Sequence, residues 1–169
     1  VFTEKTDISE ATVFDRNTPL EDRPAVLIDV IDRALDLLLE AKRPAILAGY
    51  GCIIGEAGSE VSALADFLGI PKITTPQGKG AFNDADPLAL GPTGRDGGYP
   101  GNRAARECDV LLAIGTRFGD RSTSSWHAGV THSIPPTRLI HVDTDPSVIG
   151  RNYPTDLGIV ADAALFARA

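Results

Sequence analysis

The sequence holds no methionine, one tryptophan, three tyrosines and two cysteines among 169 residues. Cys52 and Cys108 form no CxxC pair and no Cys/His cluster, so the spacing of a structural zinc site is missing and no metal ligand set is assigned. A reducing, cytoplasmic setting is the expectation. Cys108, just ahead of Asp109-Val110-Leu111, reads as a small core residue. The missing methionine, at position 1 as elsewhere, reads as an excised or trimmed segment. No apolar run approaches the ~20 residues that a membrane span needs. No signal peptide is legible in the mixed polar start, Val1 to Asp7. There is no excess of positive charge either. Lys and Arg number 16 against 23 Asp and Glu, a net charge of −7. An acidic chain argues against a general nucleic-acid or anionic-membrane binder and leaves room for a local basic pocket.

Chemical motifs are also scarce. No GxSxG, HExxH or P-loop pattern occurs. His127, His132 and His141 are scattered and lack a nucleophile–base pattern. Asp96 and His132 can be imagined as an acid–base pair, but their spacing gives it no support. No catalytic residue is assigned.

What is present is an ordinary globular composition, with 43% hydrophobic and 23% charged residues. The length suits one domain that buries roughly two thirds of its unfolded surface. Residues 1–22 have no sustained period and read as an extended linker. Residues 23–169 read as the domain. From Pro24 to Ala41, Leu27, Val30, Ile31, Ala34 and Leu38 recur at helical spacing. Pro44 to Ala48 is a short apolar run, a buried strand. Ser59 precedes a second helical stripe, Val61, Leu64, Ala65 and Leu68, which Gly69 stops. Ile70 to Thr75 predicts a strand. Residues 76–98, rich in Gly, Pro, Asn and Asp, read as a long functional loop. Asn102 to Glu107 predicts a short helix. Strands follow at Asp109 to Ile114, Arg138 to Asp143 and Leu157 to Ala161, and Asp162 opens a terminal helix. Alternating strands and helices predict an α/β fold. It is a doubly wound parallel sheet of about six strands with helices on both faces.

In such a sheet, ligands bind beyond the C-terminal strand ends. Gly49-Tyr50-Gly51, continuing to Gly55, either brings backbone N–H groups to a phosphate or makes a plain tight turn. NAD in its usual register asks for an acid about 20 residues later. Gly69 to Thr75 contains none. Thr74-Thr75-Pro76-Gln77-Gly78-Lys79-Gly80 suits a polar ligand edge or a loop that needs positive φ. Arg117 and Arg121, in Gly115-Thr116-Arg117-Phe118-Gly119-Asp120-Arg121, suit a phosphate or surface salt bridges. Asp143, directly after its strand, suits ribose hydroxyls or an N-cap. Asp162 reads as an N-cap or a ligand contact. Trp126 suits a pocket wall or packing against a neighbouring domain or subunit, and with Ile134 it is the expected apolar surface.

These runs together resemble a known family. They are Arg43 to Gly49, Thr74 to Gly80, Gly115 to Arg121, Leu139 to Pro146, Ile149-Gly150-Arg151-Asn152 and Val160-Ala161-Asp162-Ala163. In this order they are similar to the central domain of thiamine-diphosphate enzymes, and among these to the acetolactate synthase large subunit. The likeness covers about residues 25–165. It implies a Rossmann-like, DHS-like nucleotide-binding domain. The implied parent is a transferase that decarboxylates a 2-keto acid and ligates the fragment to an acceptor. Thiamine diphosphate and magnesium would be held by the pyrimidine and pyrophosphate domains of that parent. These domains are the implied partners, within a homo-oligomer, a dimer or tetramer. The isolated chain would be inactive. Ile149-Gly150-Arg151 and Asp156 to Val160 also look like glyoxylate carboligase. The same runs are compatible with a different thiamine-diphosphate lyase or decarboxylase, or with a free-standing nucleotide-binding regulatory module.

The resemblance implies FAD or ADP in this domain. Gly49 and Gly51 would approach the pyrophosphate. Thr75, Pro76, Gly94, Arg95 and Asp96 would lie along the flavin and ribityl region. Gly115, Thr116, Arg117, Asp120 and Arg121 would hold the middle and phosphates. Asp143 and Thr144 would hold the adenosine end, with Asn152, Asp162 and Ala163 nearby. Two positions depart from the family's pattern. Gly119 replaces an Asp in Arg-Phe-Asp-Asp-Arg. Gly94-Arg95-Asp96-Gly97 replaces Gly-Met-His-Gly, which puts charges where a flavin ring would stack.

Overall fold

A computed structural model describes residue 24 and residues 26–169. The expected linker, residues 1–22, lies outside the described residues, as does residue 23. Six strands form one parallel sheet in the order β3-β2-β1-β4-β5-β6. They are β1 (Pro44–Ala48), β2 (Lys72–Thr74), β3 (Ala89–Pro92), β4 (Val110–Ile114), β5 (Arg138–Asp143) and β6 (Leu157–Val160). The helices are α1 (Ile28–Glu40), α2 (Tyr50–Ile54), α3 (Gly58–Leu68), α4 (Tyr99–Glu107), α5 (Asp120–Thr123) and α6 (Ala163–Arg168).

The core strands are buried on both faces, as a parallel sheet requires. Side chains alternate between the faces. Ile46, Leu112, Ile114, Ile140 and Val142 face one core with Ile31 and Leu38 of α1, Val61 of α3 and Phe166 of α6. Leu47, Leu111, Ala113 and Leu139 face the other, with Ala105 of α4, Phe118 and Tyr153. Each fully buried Leu or Ile contributes about 1.5–3 kcal/mol.

Three helices begin away from their expected positions. Helix α1 begins at Ile28 rather than Pro24. The Pro24 carbonyl instead accepts from the Asp162 N–H at 2.8 Å. Helix α3 takes Ala57 as its N-cap, two residues ahead of Ser59, and ends where expected, at left-handed Gly69. Helix α4 begins at Tyr99, with Pro100 in its first turn, three residues before the expected start.

Residues 76–98 are not one long loop. They contain β3, a partly exposed edge strand beside β2 with a register shift. Gly91 and Pro92 hide it from a propensity reading, and an edge is where a strand tolerates proline. Lys72 of β2 ties the preceding segment down. Its fully buried amine donates to Ser62 Oγ at 2.6 Å and Asp66 at 2.7 Å, and also to Asp86. Burial would lower the Lys72 pKa, but the two carboxylates outweigh it and raise it. Of the two residues expected on an apolar surface, Trp126 is exposed while Ile134 packs against the second core.

Candidate functional site at the sheet's switch point

Strands β1 and β4 are neighbours, and the chain winds outward from them in opposite directions. A crevice opens beyond their C-terminal ends at such a switch point. Here it is a cleft of about 570 Å³.

Its floor is glycine. Gly115 follows β4 with φ +63°. A Cβ on Gly51 would lie 2.6 Å from the Gly115 Cα, so only glycine lets the two turns meet. The Gly49 N–H donates to the Ile114 carbonyl at 2.8 Å and the Gly51 N–H to the Gly115 carbonyl at 2.9 Å. These amides therefore join the two strand ends. Gly51 lines the cleft, whereas Gly49 supports it from below.

One wall is the turn after β4. Thr116 is buried, its Oγ1 accepting from the Phe118 N–H at 3.2 Å and its carbonyl meeting His141 Nε2 at 2.8 Å. Arg117, Asp120 and Arg121 line the cleft. Asn152 lies outside it and donates to the Arg117 carbonyl at 2.8 Å, fixing the turn from behind. The opposite wall carries Asp143, Thr144 and Asp145 from the end of β5. Asp143 is half-buried and accepts from the Asp145 N–H at 3.0 Å. Ser147 holds the Asp145 carboxyl below its usual range, helped by Arg117 and Arg151. Among the described residues the Arg117 guanidinium makes no ion pair within 4 Å. It is the unpaired cation of the cleft.

Thr75 lines a third side, its Oγ1 accepting from the Gly78 N–H at 3.0 Å, while its neighbour Pro76 does not reach the cleft. Gly94, Arg95 and Asp96 form a lip rather than a wall. A Cβ on Gly94 would stand 2.2 Å from the Arg121 carbonyl. The Arg95 N–H donates to that same carbonyl at 2.9 Å. Asp96 accepts from Arg121 Nη2 at 2.7 Å, and this bond first of all holds its carboxyl below the usual range. Asp162 and Ala163 do not line the cleft. Asp162 caps α6, accepting from the Ala164 and Leu165 N–H groups, and Ala163 sits in the first core.

Tyr50, Ile54, Gln77, Gly119, Ser122 and Asp145 also line the cleft and are absent from the sequence-derived set. The signal for two of them is the four-residue spacing of Tyr50 and Ile54, which becomes one helix face only once α2 is known. Both are more than half exposed. They give the cleft an exposed apolar lip.

His132 does not pair with Asp96. It is buried against Phe118 and Tyr153, ring centroids 5.6 and 5.8 Å away. Among the described residues neither ring nitrogen makes a hydrogen bond of ordinary geometry, although the Ala105 and Ser122 backbone lies close, and burial above all pushes the His132 pKa down to about 4. Cys52 and Cys108 are both buried and free, and burial pushes each thiol up to about 12. Among the described residues no group of three His, Cys, Asp or Glu side chains could hold a metal ion, and no helix is long and apolar enough to cross a membrane.

The family described as "Thiamine pyrophosphate enzyme, central domain" matches residues 31–169. The chain belongs to this family. It is 47% identical over 133 residues to a "Probable acetolactate synthase large subunit" of Methanocaldococcus jannaschii, covering 79% of this chain and 22% of that protein. Over 135 residues it is 43% identical to a protein of the same description from Methanococcus aeolicus, covering 80% and 22%. The "Acetolactate synthase large subunit" of Cyanidium caldarium is 40% identical over 132 residues, covering 78% and 22%. The chain thus spans about a fifth of the length of these relatives. The six-stranded parallel sheet is the fold that the resemblance implied.

Proposed function

We propose that residues 23–169 are the nucleotide-binding central domain of an acetolactate-synthase-like, thiamine-diphosphate-dependent transferase. The parent decarboxylates a 2-keto acid and joins the fragment to an acceptor. It works in the cytoplasm as a homo-oligomer. Its pyrimidine and pyrophosphate domains hold thiamine diphosphate and magnesium. Thiamine diphosphate supplies the electron sink for the decarboxylation. This domain contributes a rigid platform and a nucleotide site.

The observation that carries the nucleotide reading is the switch-point cleft, with Arg117 unpaired on one wall and Asp143 on the other. Arg117 offers charge to a phosphate. Asp143 offers a carboxylate to ribose hydroxyls. Tyr50 and Ile54 offer an apolar lip to a base. The ion-paired Arg95 and Asp96 stand where the resemblance puts a flavin ring, which favours ADP over FAD. Thr116, Asn152, Asp162 and the glycines act as supports.

Calorimetric titration of the chain with ADP and with FAD tests this. ADP binds more tightly, and Arg117→Ala weakens it by ~1.5–3 kcal/mol, the range for a charge-assisted hydrogen bond. Failure of both ligands to bind at millimolar concentration overturns the reading.

A further inference from the structure

We propose that Asp96 withholds Arg121 from the cleft, so that Arg117 alone meets a bound anion and the ligand's charge is selected at the lip. This rests on the nucleotide reading above and names the residue that sets its charge preference.

Both arginines line the cleft, yet their surroundings differ. Arg121 directs Nε and Nη2 at one Asp96 oxygen, at 3.2 and 2.7 Å. Asp96 is delivered from the far side of the mouth, ahead of α4. The backbone leaves it little freedom. Gly94 is packed against the Arg121 carbonyl, the Arg95 N–H donates to the same carbonyl, and Asn102 brackets Gly94 with two hydrogen bonds at 2.8 and 3.0 Å. The backbone that carries Asp96 is therefore held in place before the guanidinium meets the carboxylate, and pairing costs less entropy than it would from a free loop. Arg95 stands 3.9 Å from Asp120, so the second lip cation is paired as well.

The charge balance follows. Around the mouth, Arg95, Arg117 and Arg121 face Asp96, Asp120, Asp143 and Asp145. A phosphate reaching for Arg121 must displace Asp96 or approach a carboxylate. A phosphate reaching for Arg117 displaces no ion-pair partner, and meets only the more distant charge of Asp145, which feels the same guanidinium.

The test is a cycle of four proteins: the parent chain, Asp96→Asn, Arg121→Ala and the double variant. Each is titrated with ADP and with inorganic pyrophosphate at low and high salt. Asp96 is exposed, and circular dichroism checks that each variant folds. Asp96→Asn tightens both ligands by about two- to fivefold, the scale of an exposed ion pair, and less at high salt. Arg121→Ala abolishes the gain of Asp96→Asn, so the double variant binds no more tightly than Arg121→Ala alone. A merely structural role for Asp96 would not produce that dependence.

A gain that survives in the double variant overturns the proposal, because a general loss of negative charge then explains it. If the parent binds ADP and Asp96→Asn binds it no better, the proposal falls while the nucleotide reading stands. Should only Asp96→Asn bind, the withholding of Arg121 is supported and the nucleotide reading falls for the native chain. Should no variant bind either ligand, both fall.

Discussion

A Cβ on Gly49 would stand 2.1 Å from the carbonyl oxygen of Gly115, although 66 positions separate the two residues. This contact joins the ends of β1 and β4 and makes the floor of the cleft. The clash would be with backbone, which cannot turn aside as a side chain can.

Gly49→Ala therefore destabilises the domain, by about 1–3 kcal/mol or more, the scale of overpacking in a closely fitted interior. Thermal unfolding measures it. An unchanged midpoint would show that the two turns part easily. Gly80→Ala is not an equivalent control, since Gly80 has open space around it but a φ of +98°.

Lys72 supports the edge of the sheet on the side of β3. Lys72→Met keeps most of its volume and removes the amine from Ser62, Asp66 and Asp86. The cost is about 1.5–3 kcal/mol, the range for hydrogen bonds to a charged group, because Asp66 can turn to water. Lys72 also predicts a loss of stability above about pH 10.5. Its raised native pKa contributes fully below the unfolded value and fades as pH rises through the native one. Lys72→Met removes that alkaline sensitivity. Chemical denaturation from pH 7 to 11 reads both effects.

His132 acts at the acid end. Its native pKa lies near 4, against 6.5 for the free side chain. Between these values the unfolded chain binds a proton that the native core refuses. Stability therefore falls as pH drops from about 6.5 to 4, by up to about 3 kcal/mol from this group. Burial also lowers His141, which adds in the same direction. His132→Phe keeps a ring against Phe118 and Tyr153 and flattens the curve relative to the parent. A parallel curve for the variant would show that His132 is already charged in the native state.

We predict that the 169-residue chain on its own shows no turnover. Both thiols and two of its three histidines are buried, and no nucleophile–base pair faces the cleft among the described residues. Mixed with pyruvate, thiamine diphosphate, Mg²⁺ and FAD, it yields no acetolactate above a protein-free control. Turnover would place catalytic groups in this domain and undo the assignment of chemistry to other domains.

Much of the fold is legible in local pattern. The run Arg138 to Asp143 is a strand as its residues predict, and Gly69 and Asp162 end and open helices in the same way. The less regular elements are harder. Strand β3 carries Gly91 and Pro92 and rests on pairing with β2. Helix α2 is five residues long and has no stripe of its own. Of the expected site residues, Gly51, Thr75, Gly115, Thr116, Arg117, Asp120, Arg121, Asp143 and Thr144 line one cleft. That convergence follows from parallel topology, which puts every strand's C-terminus on one edge.

Local pattern alone dictates the α/β class, most element positions and the edge of the sheet where polar residues gather. Those depend on side-chain period and turn chemistry, which act over a few residues. Which partner each group takes is settled only by the packed fold. It gives the Gly49 and Gly51 amides to β4 and its turn, gives Arg121 to Asp96, leaves Arg117 unpaired and buries Lys72 among acids. These choices join residues far apart in the chain, and the packing of the sheet sets the distances between them.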